Sequence, residues 1–152
     1  MEDIRKKIII IKDEPVVMDI KVIVCGECNN VLCELASEKE NTERAKEIYR
    51  RRHRILTPKR IKKIREKYHL TQTSFSRLLG FNEKTISRYE AGAIPNESAS
   101  NLLLLAENKE NFMMLYSHNK SKISYQEQVR FENTLKDMDL KALEEGLFED
   151  KG

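Results

Sequence analysis

Lys84 and Arg88 stand four residues apart in the run Glu83-Lys-Thr-Ile-Ser-Arg-Tyr-Glu-Ala-Gly92. On a helix that spacing puts both cations on one side, one turn from each other. An α-helix fits the major groove of a duplex, where arginine or lysine can donate to guanine O6 and N7. Glu83, Thr85 and Ser87 share the side turned away from Ile86 and Tyr89. Glu83 could accept from cytosine N4, or simply favour a helix N-terminus by its charge. A second group is Cys25-Gly-Glu-Cys28, with Cys33 shortly after. Two thiolates on a tight turn make half of a tetrahedral zinc site, for which Cys33 offers a third ligand and His53 a distant fourth. Redox chemistry is less favoured, because no thioredoxin-like βαβ pattern surrounds the thiols.

These side chains need elements to hold them. Thr71 is placed to cap a helix from Gln72 to Leu79, and Asn82 to cap one from Glu83 to Ala91. Gly80 and Gly92 end the two, since glycine tolerates the positive φ of a helix stop. Phe75, Leu78, Leu79, Ile86 and Tyr89 fall where such a pair must pack. Upstream, Thr57 caps a helix with Pro58 at its first position, where the missing N–H removes no bond. Ile61, Ile64 and Tyr68 recur along that helix as an apolar stripe. Downstream, Ser98 to Asn108 with Leu102, Leu103, Leu104 and Leu105 reads as a core helix, and Glu110 to Asn119 as a further short one. Tyr125 to Met138 is expected to be amphipathic through Val129, Phe131 and Leu135, and Leu140 to Phe148 to form another helix.

The first part of the chain has a different texture. Ile8 to Ile11 and Val16 to Val24 read as two strands joined by Lys12-Asp13-Glu14-Pro15. Val16, Met18, Ile20, Val22 and Val24 alternate onto one face, as in a half-buried hairpin. A lone hairpin is marginal, so it must be pinned by a metal or packed on a partner. Asn41-Thr42-Glu43 offers a cap before a helix from Arg44 to Arg54.

The segment from about Pro58 to Leu105 resembles the Xre/Cro/C1-type helix-turn-helix family. The match lies in Gln72, in Leu79-Gly80, and in Thr85-Ile86-Ser87-Arg88-Tyr89-Glu90-x-Gly92. The resemblance implies a five-helix bundle that binds double-stranded DNA as a homodimer on a two-fold related operator. Thr71 and Gln72 would then contact backbone phosphate. Glu83, Lys84, Thr85, Ser87 and Arg88 would face the bases, with Lys84 and Arg88 as the main readers.

From about Ile8 to Phe112 the chain looks like the MqsA (YgiT-type) antitoxin family, zinc-ribbon proteins fused to such a helix-turn-helix. Val24-Cys25-x-x-Cys28 matches the second knuckle of that ribbon, while the first is missing from residues 1–24. The resemblance implies a first domain that binds zinc and a protein toxin, and a second that dimerises and represses the operon. The expected architecture is mainly α: an Xre/lambda-repressor-like domain preceded by a small β-hairpin or degenerate zinc-ribbon-like domain. Its segments are 1–40 for the hairpin, 41–56 for a basic linker helix, 57–119 for the helix-turn-helix domain and 120–152 for a C-terminal helical tail.

Composition agrees with this and narrows the alternatives. The chain has 152 residues, 39% hydrophobic and 35% charged, with five Gly, three Pro and no Trp. That balance leans helical. The total charge of +3 says little, but its distribution does. Residues 44–67 hold twelve Lys and Arg against two Glu, a net of +10, whereas residues 127–151 carry a net of −4. A phosphate-contacting surface is expected to be locally basic. No stretch reaches the roughly 20 apolar residues of a membrane span, and the first residues lack the apolar core of a secretory signal. Three cysteines make no even disulfide framework, which suits a reducing, cytoplasmic setting. His69 and His118 fall near helix ends, as capping cations or surface residues rather than ligands. No Gly-rich phosphate loop, His-Glu-x-x-His or activated nucleophile is present, so no enzyme is expected. The alternative is a protein-interaction module that neutralises a toxin or docks another regulator through its N-terminal domain or C-terminal tail.

Overall fold

A computed structural model describes residues 1–144, except the side chains of Ala142 and Leu143. The chain divides into two compact units, Met1–Thr57 and the part from Pro58 onward. The fold is mainly helical behind an N-terminal antiparallel sheet, as the sequence led one to expect.

In the first unit β1 (Glu2–Ile11) and β2 (Glu14–Val24) form a hairpin with Ile8 opposite Val17 and Ile11 opposite Glu14. The turn is only Lys12-Asp13, both at positive φ (48° and 65°). Such a two-residue turn matches the right-handed twist of the strands and lets pairing run to the end. Glu14 and Pro15, expected in the turn, therefore belong to β2. Proline is tolerated there because β3 (Val31–Glu34) pairs with β2 only at Val22 to Val24, leaving β2 without that neighbour at Pro15. The third strand was not foreseen. It is four residues long, and Val31, Leu32 and Cys33 are all exposed, so it carries no alternation to read.

Val16, Met18, Ile20, Val22 and Val24 are all buried, as their alternation requires. α1 (Glu38–His53) packs against β1 and β2 and supplies their cover, with Ala45 wholly buried. Each such aliphatic side chain removed from water contributes roughly 1.5–3 kcal/mol, and it is this burial that stabilises the hairpin. The segment 41–56, expected as a linker helix, is thus mostly α1 and part of the first unit. Its cap is Ser37, whose Oγ accepts from the Glu40 N–H at 3.1 Å, in place of Asn41. Ser37 with Glu40 has the spacing of a capping box, and Asn41 lies one turn inside, fully buried. Two of the helix's cations are spent on the sheet and a third is withdrawn from solvent. Arg44 donates to the Asp19 carbonyl, Arg52 pairs with Glu14 at 2.9 Å, and Arg50 is buried.

The second unit contains α2 (Pro58–Lys67), α3 (Gln72–Leu78), α4 (Thr85–Glu90), α5 (Glu97–Ala106) and α6 (Lys109–Asn119). A 3-10 turn at Lys120–Lys122 leads into α7 (Tyr125–Glu144). Thr71, Asn96 and Asn108 each accept a backbone N–H from three residues on, capping α3, α5 and α6. Ile61, Ile64, Tyr68, Phe75, Leu78, Ile86, Leu103 and Phe112 form the core. The four-leucine run is not all interior, however. Leu103 is buried, but Leu104 and Leu105 are 47% and 56% exposed.

α7 is one helix through Glu144, where two were expected; residues 145–148 of the second lie outside the described residues. Nor is it a loose tail. Phe131 is buried against Tyr68, Phe112 and Tyr116, with ring centroids 6.1, 5.7 and 4.6 Å away. Leu135 is buried one turn later, whereas Val129, two residues from Phe131, points off that face.

Candidate nucleic-acid interface

The relation between α3 and α4 is set by one buried hydroxyl. Ser76 Oγ donates to the Gln72 carbonyl at 2.8 Å and accepts the Ile86 N–H at 3.1 Å. It thereby satisfies an N–H of the first turn of α4, which has no helical partner of its own. Gly80 turns the chain at φ 83°, and Asn119 Nδ2 caps α3 through the Leu78 carbonyl at 2.9 Å. Asn82 Oδ1 accepts the Lys84 N–H at 3.1 Å, and its carbonyl accepts the Thr85 N–H at 3.0 Å. Asn82 therefore builds a turn before the helix, and α4 starts at Thr85 rather than Glu83, with Lys84 at the cap position.

The spacing of the two cations survives this shift. The Arg88 N–H donates to the Lys84 carbonyl at 3.1 Å, which fixes them one helical turn apart. Both side chains are exposed, and neither has a hydrogen-bond or salt-bridge partner among the described residues. Ser87 is exposed beside them and Thr85 is half-buried. Glu83 differs: its carboxylate takes a 2.7 Å salt bridge from Arg77 on α3. It thus neutralises a cation of its own chain.

At the other end of α4, Glu90 receives two hydrogen bonds from Arg65 of α2 and one from Gln72 Nε2 of α3. Arg65 also donates to the Leu70 carbonyl, and the carboxylate beside it raises its pKa further. The Gln72 side chain is thus turned to α4, while Thr71 stays exposed at the start of α3, bonded to Ser74. Ser76, Arg65 and Arg77 were not singled out from sequence, and Glu90 entered only as part of the family match. Signals existed for two of them. Ser76 falls in the buried register between Phe75 and Leu78, and a glutamate in the last turn of a helix opposes the dipole unless a cation meets it.

Arg60 of the basic stretch is bound to Glu107, whereas Lys59, Lys62 and Lys63 are exposed along α2.

The three thiols lie in the first unit. Cys25 and Cys28 share the turn after β2, where the Asn29 N–H donates to the Cys25 carbonyl at 3.0 Å. Backbone hydrogen bonds from Cys28 and Glu27 lower the Cys25 pKa. Cys33 is exposed on β3, and His53 Nε2 is held 2.9 Å from both Glu14 carboxylate oxygens. Among the described residues no three His, Cys, Asp or Glu side chains are grouped to hold a metal. A closed structural zinc site takes four such ligands.

No described helix is long and apolar enough to cross a membrane. Against known families, residues 7–114 match the antitoxin component of the bacterial toxin–antitoxin system, MqsA. No curated protein and no solved structure matches the chain. The matched span runs from β1 into α6, takes in the whole α3–α4 pair and stops before α7. With well over half of its length matched, the chain belongs to the MqsA antitoxin family.

Proposed function

We propose that this antitoxin is a transcriptional repressor that binds operator DNA as a homodimer through α4. The observation that carries this reading is the pair Lys84 and Arg88, exposed, unpaired among the described residues and one turn apart on a helix fastened from both ends. Cations in that arrangement suit bidentate donation to guanine edges. Ser87 and the half-buried Thr85 fill in the contact surface between them, whereas the Thr71 hydroxyl is already bonded to Ser74. Glu83, tied to Arg77, is better suited to orienting that arginine than to reading a base.

The experiment is selection of bound duplexes from a random pool, followed by anisotropy on the enriched sequence. A two-fold related site bound at least 10³-fold more tightly than random duplex, with a steep salt slope, is the expected result. A pool that shows no enrichment would remove the reading.

Membership of an antitoxin family implies a toxin partner. We assign that partner to the first unit, where Ile4, Ile8, Ile10 and Val17 are exposed on the outer face of the hairpin and β1 is an edge strand. Co-purification with the product of a neighbouring gene, surviving salt that strips DNA, supports the assignment. Loss of that product at low salt, or its retention by the second unit alone, contradicts it.

A further inference from the structure

α7 lies beyond the family match, yet it is fastened to the helix that starts the proposed DNA-binding pair. Phe131 anchors it in the aromatic core, and the Glu127 carboxylate accepts from the Ser74 hydroxyl of α3. Ser124 Oγ donates to the same carboxylate and accepts the Glu127 N–H, closing the first turn of α7. Between α3 and α7 these contacts leave a cleft of about 370 Å³. Its walls include His69, Thr71, Thr73, Arg77 and Arg130, with Glu127 among them.

The cations of this cleft differ in what they are free to do. Arg77 is committed to Glu83. Arg130 is exposed, and its guanidinium has no hydrogen-bond or salt-bridge partner among the described residues. The Glu127 charge is met by the two serine hydroxyls, with Arg77 close enough to lower its pKa as well. The cleft therefore offers a planar guanidinium along with the exposed hydroxyl of Thr73, whereas the Thr71 hydroxyl donates to Ser74 Oγ. Arginine in such a setting forms forked hydrogen bonds to a phosphate, and a threonine hydroxyl adds a further donor. Gln72, which the family resemblance offered as a phosphate contact, is turned away to Glu90.

We infer that α7 extends the DNA-binding surface, and that Arg130 with Thr73 holds one backbone phosphate in the α3–α7 cleft. This rests on the proposed DNA reading and adds to it a contact from outside the matched segment. Such a contact fixes position along the duplex and carries no base preference of its own.

The test uses the full chain and its selected operator, with anisotropy measured over a range of salt. Arg130→Gln is expected to weaken binding to operator and random duplex alike, by roughly fivefold, and to lower the salt slope by about 1. Arg130→Lys should restore most of the slope. Lys136→Gln makes the same charge change on an exposed residue of α7 outside the cleft and should leave the slope unchanged. Equal effects of Arg130→Gln and Lys136→Gln, or an unchanged slope in Arg130→Gln, would overturn the inference while leaving the DNA reading intact. A wild-type chain that binds no duplex defeats the DNA reading itself, a separate result.

Discussion

The Arg65 guanidinium meets the Glu90 carboxylate through two hydrogen bonds, 2.8 Å from Nε and 3.0 Å from Nη2. Gln72 adds a third at 3.1 Å. The pair is little exposed, 15% and 7% of the two side chains, so each charge has given up much of its hydration and depends on the other for compensation. It joins α2, α3 and the last turn of α4, while Ser76 holds the first turn. The exposed face of α4 is consequently a rigid platform, and rigidity is what lets two long side chains keep a fixed register on a duplex.

Breaking this pair from one side should be severe. Glu90→Ala leaves the half-buried Arg65 without its counter-charge and is expected to lower unfolding stability by about 3 kcal/mol. Urea unfolding at neutral pH measures it. A loss below about 0.5 kcal/mol, the size of an ordinary surface substitution, would contradict the role given to the pair.

Ser76→Ala removes the hydroxyl that accepts the Ile86 N–H and leaves that donor buried. The expected loss is about 1–3 kcal/mol, with faster amide exchange at Ile86 than at other core amides. Unchanged protection at Ile86 would show that another group holds the start of α4.

Phe131→Ala separates an α7 that belongs to the core from one that merely trails behind it. Removing a buried phenyl ring that contacts three others should lower stability by about 3–5 kcal/mol. Wild-type stability in this variant would return α7 to the status of a tail.

The Glu127–Ser74 contact predicts an acid dependence with a definite sign. Hydrogen bonding lowers the folded pKa of Glu127 below its ordinary value of 4.5. Its stabilising contribution is therefore complete above that value and is lost as pH falls through the depressed one. The difference in thermal midpoint between wild type and Glu127→Gln should be greatest near neutrality and shrink as pH drops below 4.5. A difference that stays constant through that range would contradict the contact.

Much of this could be read before any coordinates. The inward face of β2, the stripe of α2, the Thr71 cap and the exposed Lys84–Arg88 pair all follow from periodicity or local turn chemistry, which act within a few residues. What escaped reading depends on partners distant in sequence. Arg65 and Glu90 are 25 residues apart and Ser74 and Glu127 are 53 apart, so nothing local marks them as pairs. β3 escaped because strand pairing, and no alternation of its own, defines it. Asn41 and Asn82 misled for a different reason. Each is a good capping residue, but Ser37 offered an earlier cap for α1, and Asn82 spends its side chain on a turn ahead of α4.

The most direct measurement is operator binding by the double variant Lys84→Ala, Arg88→Ala, alongside its unfolding midpoint. Both side chains are exposed and, among the described residues, unpaired, so stability should stay within about 0.5 kcal/mol of wild type while operator-specific retention disappears and weak non-specific binding persists. A folded double variant that still holds the operator as tightly as wild type would mean these two side chains do not read DNA.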